Sequence, residues 1–236
     1  MAQKKLIRFA AIKTFANVLE YPENMTGKWA AHFNNSNPIV LELACGRGEY
    51  TVGLARLHAD KNFIGVDVKG NRMYIGAKKC LDQQLTNAAF LRTQIALITK
   101  YFTAEEVSEI WITFPDPQLR SSKAKKRLTH PLFLQLYQHL LKPTGSIHLK
   151  TDSPKLYAFT KNVIKLYQLQ LVKDIDDVYA SSNCQDLSIK THYESLDIAN
   201  SKKIFYLHFK FSAIINLNDK NVQDALIEAE KNLPSS

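Results

Sequence analysis

The chain is poor in cysteine, glycine and proline, with three, eight and eight of them among 236 residues. Cys45, Cys80 and Cys184 are widely separated and odd in number. They exclude a disulfide framework and a paired-cysteine metal knuckle, and they suit a reducing compartment. So little glycine and proline excludes a collagenous or low-complexity chain. No run approaches the ~18 uncharged apolar residues of a membrane span, and no apolar core of a secretory leader is present. With 45% hydrophobic residues the chain can still bury a substantial core, and its length suits one large domain or one domain with extensions.

Acidic residues are missing from two places. From Pro117 to Thr151 there is no Asp or Glu, while Arg120, Lys123, Lys125, Lys126, Arg127, Lys142 and Lys150 are all present. The first 19 residues hold Lys4, Lys5, Arg8 and Lys13 and no acid. Together these segments carry more than the whole net charge of +9, so the rest of the chain is slightly acidic. A basic field concentrated in two segments suits a polyanionic partner, most often nucleic acid, although a solvated basic face is the plainer reading of charge alone. The opening MAQKKLIRFAAIKTF shares the basic, acid-free character of a mitochondrial presequence, but it has one Arg after its Lys pair and no Ser. It reads as a flexible basic arm over residues 1–19 of a cytoplasmic protein, with residues 20–236 forming a single domain.

Apolar runs alternate with helical patterns through that domain. PIVLEL (Pro38 to Leu43), NFIGVDV (Asn62 to Val68), AAFLRT (Ala88 to Thr93), EIWITF (Glu109 to Phe114), GSIHLKT (Gly145 to Thr151), LQLVKDIDDV (Leu169 to Val178) and KIFYLHFKF (Lys203 to Phe211) read as seven strands. Helical patterns follow the first five, and a basic loop over about 117–130 interrupts the fourth crossover. This predicts an α/β fold, a seven-stranded, mostly parallel, doubly wound sheet whose last strand is antiparallel.

In such a sheet, ligands lie outside the carboxyl ends of the strands. Those ends carry Glu42, Gly46, Gly48, Asp67, Gln94, Asp116 and Asp152. A dinucleotide fingerprint wants a third glycine where Thr51 stands, and no Lys-Ser/Thr follows to make a phosphate-cradling loop. E-x-x-C-G-x-G, with Asp67 one βαβ step beyond Glu42, suits an adenosyl ligand bearing an ammonium and a sulfonium. A plain strand-to-helix turn, with Asp67 capping the next helix, also fits. The fourth strand ends in TFPDPQ, where two prolines stiffen the backbone on either side of Asp116. That carboxylate either faces the ligand cleft or stabilises its own turn.

From about Asn17 to Phe211 the chain resembles the bacterial tRNA (guanine-N7)-methyltransferases. The resemblance is carried by LELACGRGEY, FIGVDVKGNR, WITFPDPQLRSSKAKKRL, HLKTDSPKLY and THYE followed by IFYLHFKF. It implies the class I S-adenosylmethionine-dependent methyltransferase fold and methyl transfer to N7 of guanosine 46 in the tRNA variable loop. It implies cofactor binding by Glu42, Gly46, Gly48, Asp67, Gln94 and Asp116, with Asp116 also catalytic. Substrate contacts would fall to Arg120, Asp152, Thr191, His192, Tyr193 and Glu194, and phosphate contacts to Lys123, Lys125, Lys126 and Arg127. The family has Asp where this chain has Gln94, and many relatives have Trp and Lys at Gln118 and Arg120. The partner would be tRNA, with no metal, membrane or obligate protein partner. Thr191 and Glu194 also satisfy the pattern of a capping box. Methyl transfer to an amine of nucleic acid or protein, a non-catalytic RNA-binding role on the same scaffold, and a nicotinamide dehydrogenase remain as alternatives.

Overall fold

The apolar runs and amphipathic segments build one eight-stranded sheet with helices on both faces. The computed structural model describes residues 2–181, 183–195 and 203–234. Helix α1 (Ala2–Ile12) leads to a short strand β1 (Val18–Glu20) and helix α2 (Trp29–Phe33). The alternation then runs β2 (Ile39–Leu43), α3 (Glu49–Leu57), β3 (Asn62–Asp67), α4 (Gly70–Asp82) and β4 (Ala88–Arg92). A 3-10 segment (Ile95–Lys100) precedes β5 (Val107–Thr113), and a second (Ser121–Lys126) precedes α5 (Pro131–Leu140). Next come β6 (Leu141–Thr151), α6 (Pro154–Leu166) and β7 (Gln170–Ile175). Three four-residue helices, α7 (Val178–Ser181), α8 (Gln185–Ser188) and α9 (His192–Ser195), lead to β8 (Phe205–Lys210), and α10 (Lys220–Lys231) follows.

The strand order is β1-β4-β3-β2-β5-β6-β8-β7. The pairings are parallel except those of β8, which runs antiparallel to both β6 and β7. The seven strands read from the sequence are all present, and the last in chain order is the antiparallel one. The eighth is β1, paired at Val18↔Phe90 to Glu20↔Arg92 on the edge of β4. Its three residues are too few to show an alternation.

Both faces of the central strands are covered, so β2 and β3 are buried at every position. Ile39, Leu41 and Leu43 join Trp29, Tyr137 and Phe159 on one face, and Val40 joins Tyr50, Met73 and Phe90 on the other. Strand alternation puts Glu42 on this second face, toward α3. Helix starts follow local chemistry. Ser153 Oγ accepts from Leu156 N at 3.2 Å, with Pro154 at the first helical position of α6.

The amino-terminal segment departs from the free arm read in the sequence. Its helix α1 packs on α4, with Ile12 fully buried. Phe15 stacks on Tyr74 at 5.3 Å, and the Arg8 guanidinium lies 5.7 Å from the same ring. The faint amphipathicity of the segment is thus a docking face. No helix among the described residues is long and apolar enough to cross a membrane.

Candidate active site

Strand β2 has β3 on one side and β5 on the other, so successive crossovers diverge at its carboxyl end and leave a crevice. The cleft there has a volume of about 1580 Å³. Pockets for a single small ligand hold about 300–1,000 Å³, so this open cleft exceeds what one small ligand fills. Strand ends supply Glu42, Asp67, Asp116 and Asp152 to its lining, and α3 adds Glu49. Arg8, Arg47, Lys69, Arg72, Lys125 and Lys126 enter from helices and loops around it. Carboxylates therefore stand at the strand ends and the start of α3, and cations on the surrounding segments.

Glu42 is the most tightly held of the acids. Its Oε2 accepts from Thr51 N at 2.7 Å and Thr51 Oγ1 at 2.6 Å, and its Oε1 accepts from Thr113 Oγ1 at 3.0 Å. Burial pushes its carboxyl up to about 7, against the downward pull of those three hydrogen bonds. Thr51 explains the incomplete glycine fingerprint. It holds Glu42, and the close helix–strand approach is made on the strand instead. A Cβ at Gly65 of β3 would lie 2.7 Å from Thr51 Oγ1. Asp67 Oδ2 accepts from Gly46 N at 2.9 Å and its Oδ1 from Lys69 N at 2.8 Å. Each oxygen keeps a second lone pair for a further donor, and Asp67 lines the cleft. Gln94, just past β4, is exposed and lines the cleft.

Gly48 has a different place from the one expected of it. It stands outside the cleft lining, at φ +71°, and a Cβ there would come within 2.4 Å of the Phe90 ring. Its lack of a side chain serves the packing of the turn on β4.

The turns facing the cleft are strained. Ala44, Phe114 and Gln118 have φ of +57°, +45° and +47°, a region costly for residues with a Cβ. Pro115 and Pro117 flank Asp116, whose Oδ1 accepts from Gln118 N at 3.0 Å. Among the described residues its Oδ2 has no partner. Asp116 is exposed and shares the cleft with Gly46 and Phe114. It thus both ties its own turn and presents a carboxylate to the crevice.

The substrate-side residues divide. Asp152, half-buried at the end of β6, lines the cleft, and burial pushes its carboxyl up. The helix cap beside it is Ser153 rather than Asp152. Thr191, His192 and Tyr193 also line the cleft. Glu194 does not. Its Oε2 accepts from Thr191 N at 2.8 Å, while its own N donates to Thr191 Oγ1 at 3.3 Å, a reciprocal capping box. Its Oε1 meets Lys150 Nζ at 3.0 Å, where the two side chains are 0% and 5% exposed. The substrate contact expected of Glu194 is therefore corrected: its carboxylate is consumed in holding the wall.

Lys150 is the centre of that wall. Its Nζ also donates to Leu187 O at 2.9 Å, Ile189 O at 3.1 Å and Tyr179 Oη at 3.2 Å. Burial lowers its pKa, against the pull of Glu194. One strand-end cation thus fastens the segment from α8 to α9. In sequence it is one more basic residue within an acid-free stretch.

The basic loop divides as well. Lys125 and Lys126 are exposed and line the cleft, while Arg120 and Lys123 are exposed outside it. Arg127 is fully buried and ion-paired to Glu230. The phosphate contact expected of Arg127 is therefore corrected, since no solvent-borne phosphate can reach its guanidinium. Residues the sequence reading passed over are Arg8, Arg47, Glu49, Lys69 and Arg72. Arg47 and Glu49 adjoin the glycines of E-x-x-C-G-x-G, which was their only signal. Arg8 is brought in by the docking of α1. No cluster of three or more His, Cys, Asp or Glu that could hold a metal occurs among the described residues.

Residues 36–207 match a protein family described as "Putative methyltransferase". The match ends within β8, so α10 lies beyond it. The chain is similar to the tRNA (guanine-N(7)-)-methyltransferase of Bacteroides thetaiotaomicron, 48% identical over 220 residues that cover 89% of this chain and 86% of the relative. It is 45% identical to the protein of the same name from Christiangramia forsetii, over 89% of this chain and 98% of that one. Among solved structures, the 30S ribosomal A1408 methyltransferase from an uncultured bacterium superposes with a TM-score of 0.57 at 17% identity, covering 78% of this chain and 92% of that chain. At that identity the likeness speaks to the fold.

Proposed function

Because the chain belongs to the tRNA (guanine-N(7)-)-methyltransferase family, we propose that it transfers a methyl group from S-adenosylmethionine to N7 of a guanosine in tRNA, at position 46 of the variable loop. The observation that carries this reading is the convergence in one cleft of the Gly46 turn, Glu42 and Asp67 on one side and the Asp116 elbow on the other, with Lys125 and Lys126 above.

The residues present fit that cofactor. Asp67 offers acceptors suited to the two ribose hydroxyls, and Gln94 offers a carbonyl to an exocyclic amine in place of a carboxylate. Glu42 and Glu49 line the same cleft and offer it acidic groups suited to an ammonium. Bound S-adenosylmethionine supplies a methyl group on a positively charged sulfur. Guanine N7 has a lone pair in the ring plane and no proton, so no side chain has to act as a base. The chain's task is position, dryness and charge. Methylation moves positive charge onto the purine, and a carboxylate at Asp116 or Asp152 stabilises it there. A carboxylate also accepts from N1–H and the 2-amino group together, a donor pair that adenine lacks. Thr191, His192 and Tyr193 line the cleft for contact with the substrate, Arg120 stands exposed outside it, and Lys125 and Lys126 are placed for phosphates. The target base reaches the cleft by leaving its stack.

The test is incubation with methyl-labelled cofactor and unmodified tRNA, followed by nucleoside analysis. Label in 7-methylguanosine is the expected result. Label in a methylated exocyclic amine, or bound cofactor with no transfer to any RNA, overturns the reading.

A further inference from the structure

We propose that Glu230 of α10 is a positioning residue for the Asp116 turn, acting through Arg127. The activity part of this inference rests on the function proposed above, and its structural part does not.

The Arg127 side chain ends the basic loop, yet it is 0% exposed. Its Nε donates to Pro117 O at 3.2 Å and its Nη2 to Gln118 O at 3.1 Å. Those carbonyls belong to the two residues after Asp116, and Gln118 N is the donor that holds Asp116 Oδ1. One guanidinium therefore grips the peptide units on both sides of Gln118, the residue whose N–H ties Asp116 in its turn. Gln118 sits at φ +47°, a conformation that needs outside support to persist.

Glu230 keeps Arg127 in this orientation. Its Oε1 accepts from Nη2 at 2.8 Å and its Oε2 from Nη1, a two-pronged pairing, while Phe159 lies 4.4 Å beneath the guanidinium. A buried guanidinium deprived of its carboxylate cannot stay in place without large cost. Glu230 also stands in the last turn of α10, where the helix dipole disfavours a carboxylate. Local helix preference does not account for this placement, and the pairing with Arg127 does. Burial alone would raise the Glu230 pKa, but the hydrogen bond and charge of Arg127 outweigh it and hold it below the ordinary value.

The test uses the full-length chain with Glu230→Ala and Glu230→Gln. Glu228→Ala serves as control, because Glu228 pairs with Lys231 on the exposed face of the same helix. Hydrogen exchange is followed by mass spectrometry on a peptide spanning residues 114–120. Glu230→Ala should speed exchange at the Gln118 amide about tenfold, while Glu230→Gln, which still accepts one guanidinium N–H, gives an intermediate rise. Turnover should fall about tenfold in Glu230→Ala and less in Glu230→Gln, with KM for the cofactor within about twofold, because the elbow and not the cofactor side is loosened. Glu228→Ala should change neither. Unchanged exchange in Glu230→Ala overturns the brace, and so does a rise spread evenly over β2 and β5. Faster exchange with unchanged turnover overturns the positioning role. A wild-type protein without methyl transfer to tRNA refutes the function proposed above and leaves the exchange arm to decide the brace.

Discussion

Replacing Lys150 with Met tests whether one buried cation fixes the wall that carries Thr191, His192 and Tyr193. Met keeps the length and the apolar stem, so the rings of Tyr50, Phe114 and Tyr179, each 5.2–5.5 Å from Nζ, retain a neighbour. What disappears is the counter-charge of Glu194, at 3.0 Å with both side chains buried. Breaking such a pair from one side costs about 3–5 kcal/mol. The carboxylate has an escape, since the segment from α8 to α9 can lift away and rehydrate it. The global loss then stops at the docking energy of that segment. For a chain of this size the full cost lowers the melting temperature by about 6–20 °C, and partial lifting gives a smaller drop with fast proteolysis near residues 185–195. Thermal melts of Lys150→Met, Glu194→Gln and the double variant make the measurement. The double variant should be milder than the summed singles by more than about 1 kcal/mol. Additivity within about 0.5 kcal/mol, or a drop below about 2 °C without local proteolysis, would refute the reasoning.

Three further outcomes follow from the same geometry. Glu42 keeps its proton up to about pH 7 in the folded chain, whereas an unfolded carboxyl ionises near 4.5, so its contribution is full below about 4.5 and is lost as pH rises to about 7, a change of about 3 kcal/mol. Urea unfolding across that window should show a slope that Glu42→Gln flattens, and identical slopes would remove Glu42 as its source. Asp116→Asn should cut methyl transfer by about 10²–10³ while cofactor affinity stays within about threefold; undiminished turnover would place Asp116 outside the chemistry. Exchanging Lys125 and Lys126 for Gln should weaken tRNA binding and reduce the slope of log affinity against log salt by about 1.4–1.8, and an unchanged slope would leave the loop a solvated face.

The parts of the fold and site that could be read from the residues are those whose cause is local. Apolar runs such as IVLEL and NFIGVD mark strands because parallel strands buried on both faces need little else. The acids at their ends followed from topology, since strand order alone brings Glu42, Asp67 and Asp116 to one crevice. Failures arose where a partner lies far along the chain. Lys126 and Arg127 are adjacent and alike in charge, yet one faces the cleft and the other is sealed in by Phe159 and Glu230. Nothing near Arg127 announces that difference. Thr191 and Glu194 satisfied a ligand pattern and a capping pattern alike, and Lys150, on strand β6, decides for the cap at Glu194. Strand β1 and the docking of α1 escaped notice because three residues and a weak stripe carry little periodic signal.

The order of the outermost strands bears on how the protein is made. β7 is synthesised before β8, yet among the described residues its one ladder is with β8, which inserts between it and β6. A nascent chain that has just delivered Ile175 therefore carries a sheet edge with no seat for its newest strand, and Leu171 and Val172 wait without a template until residue 205 has left the ribosome. The Arg127 brace waits longer still, for residue 230. The strands that carry Glu42 and Asp67 and lead to Asp116 are thus made before either the β7–β8 ladder or the Arg127–Glu230 pair can form, so edge and brace are late additions to a sheet whose centre is already available.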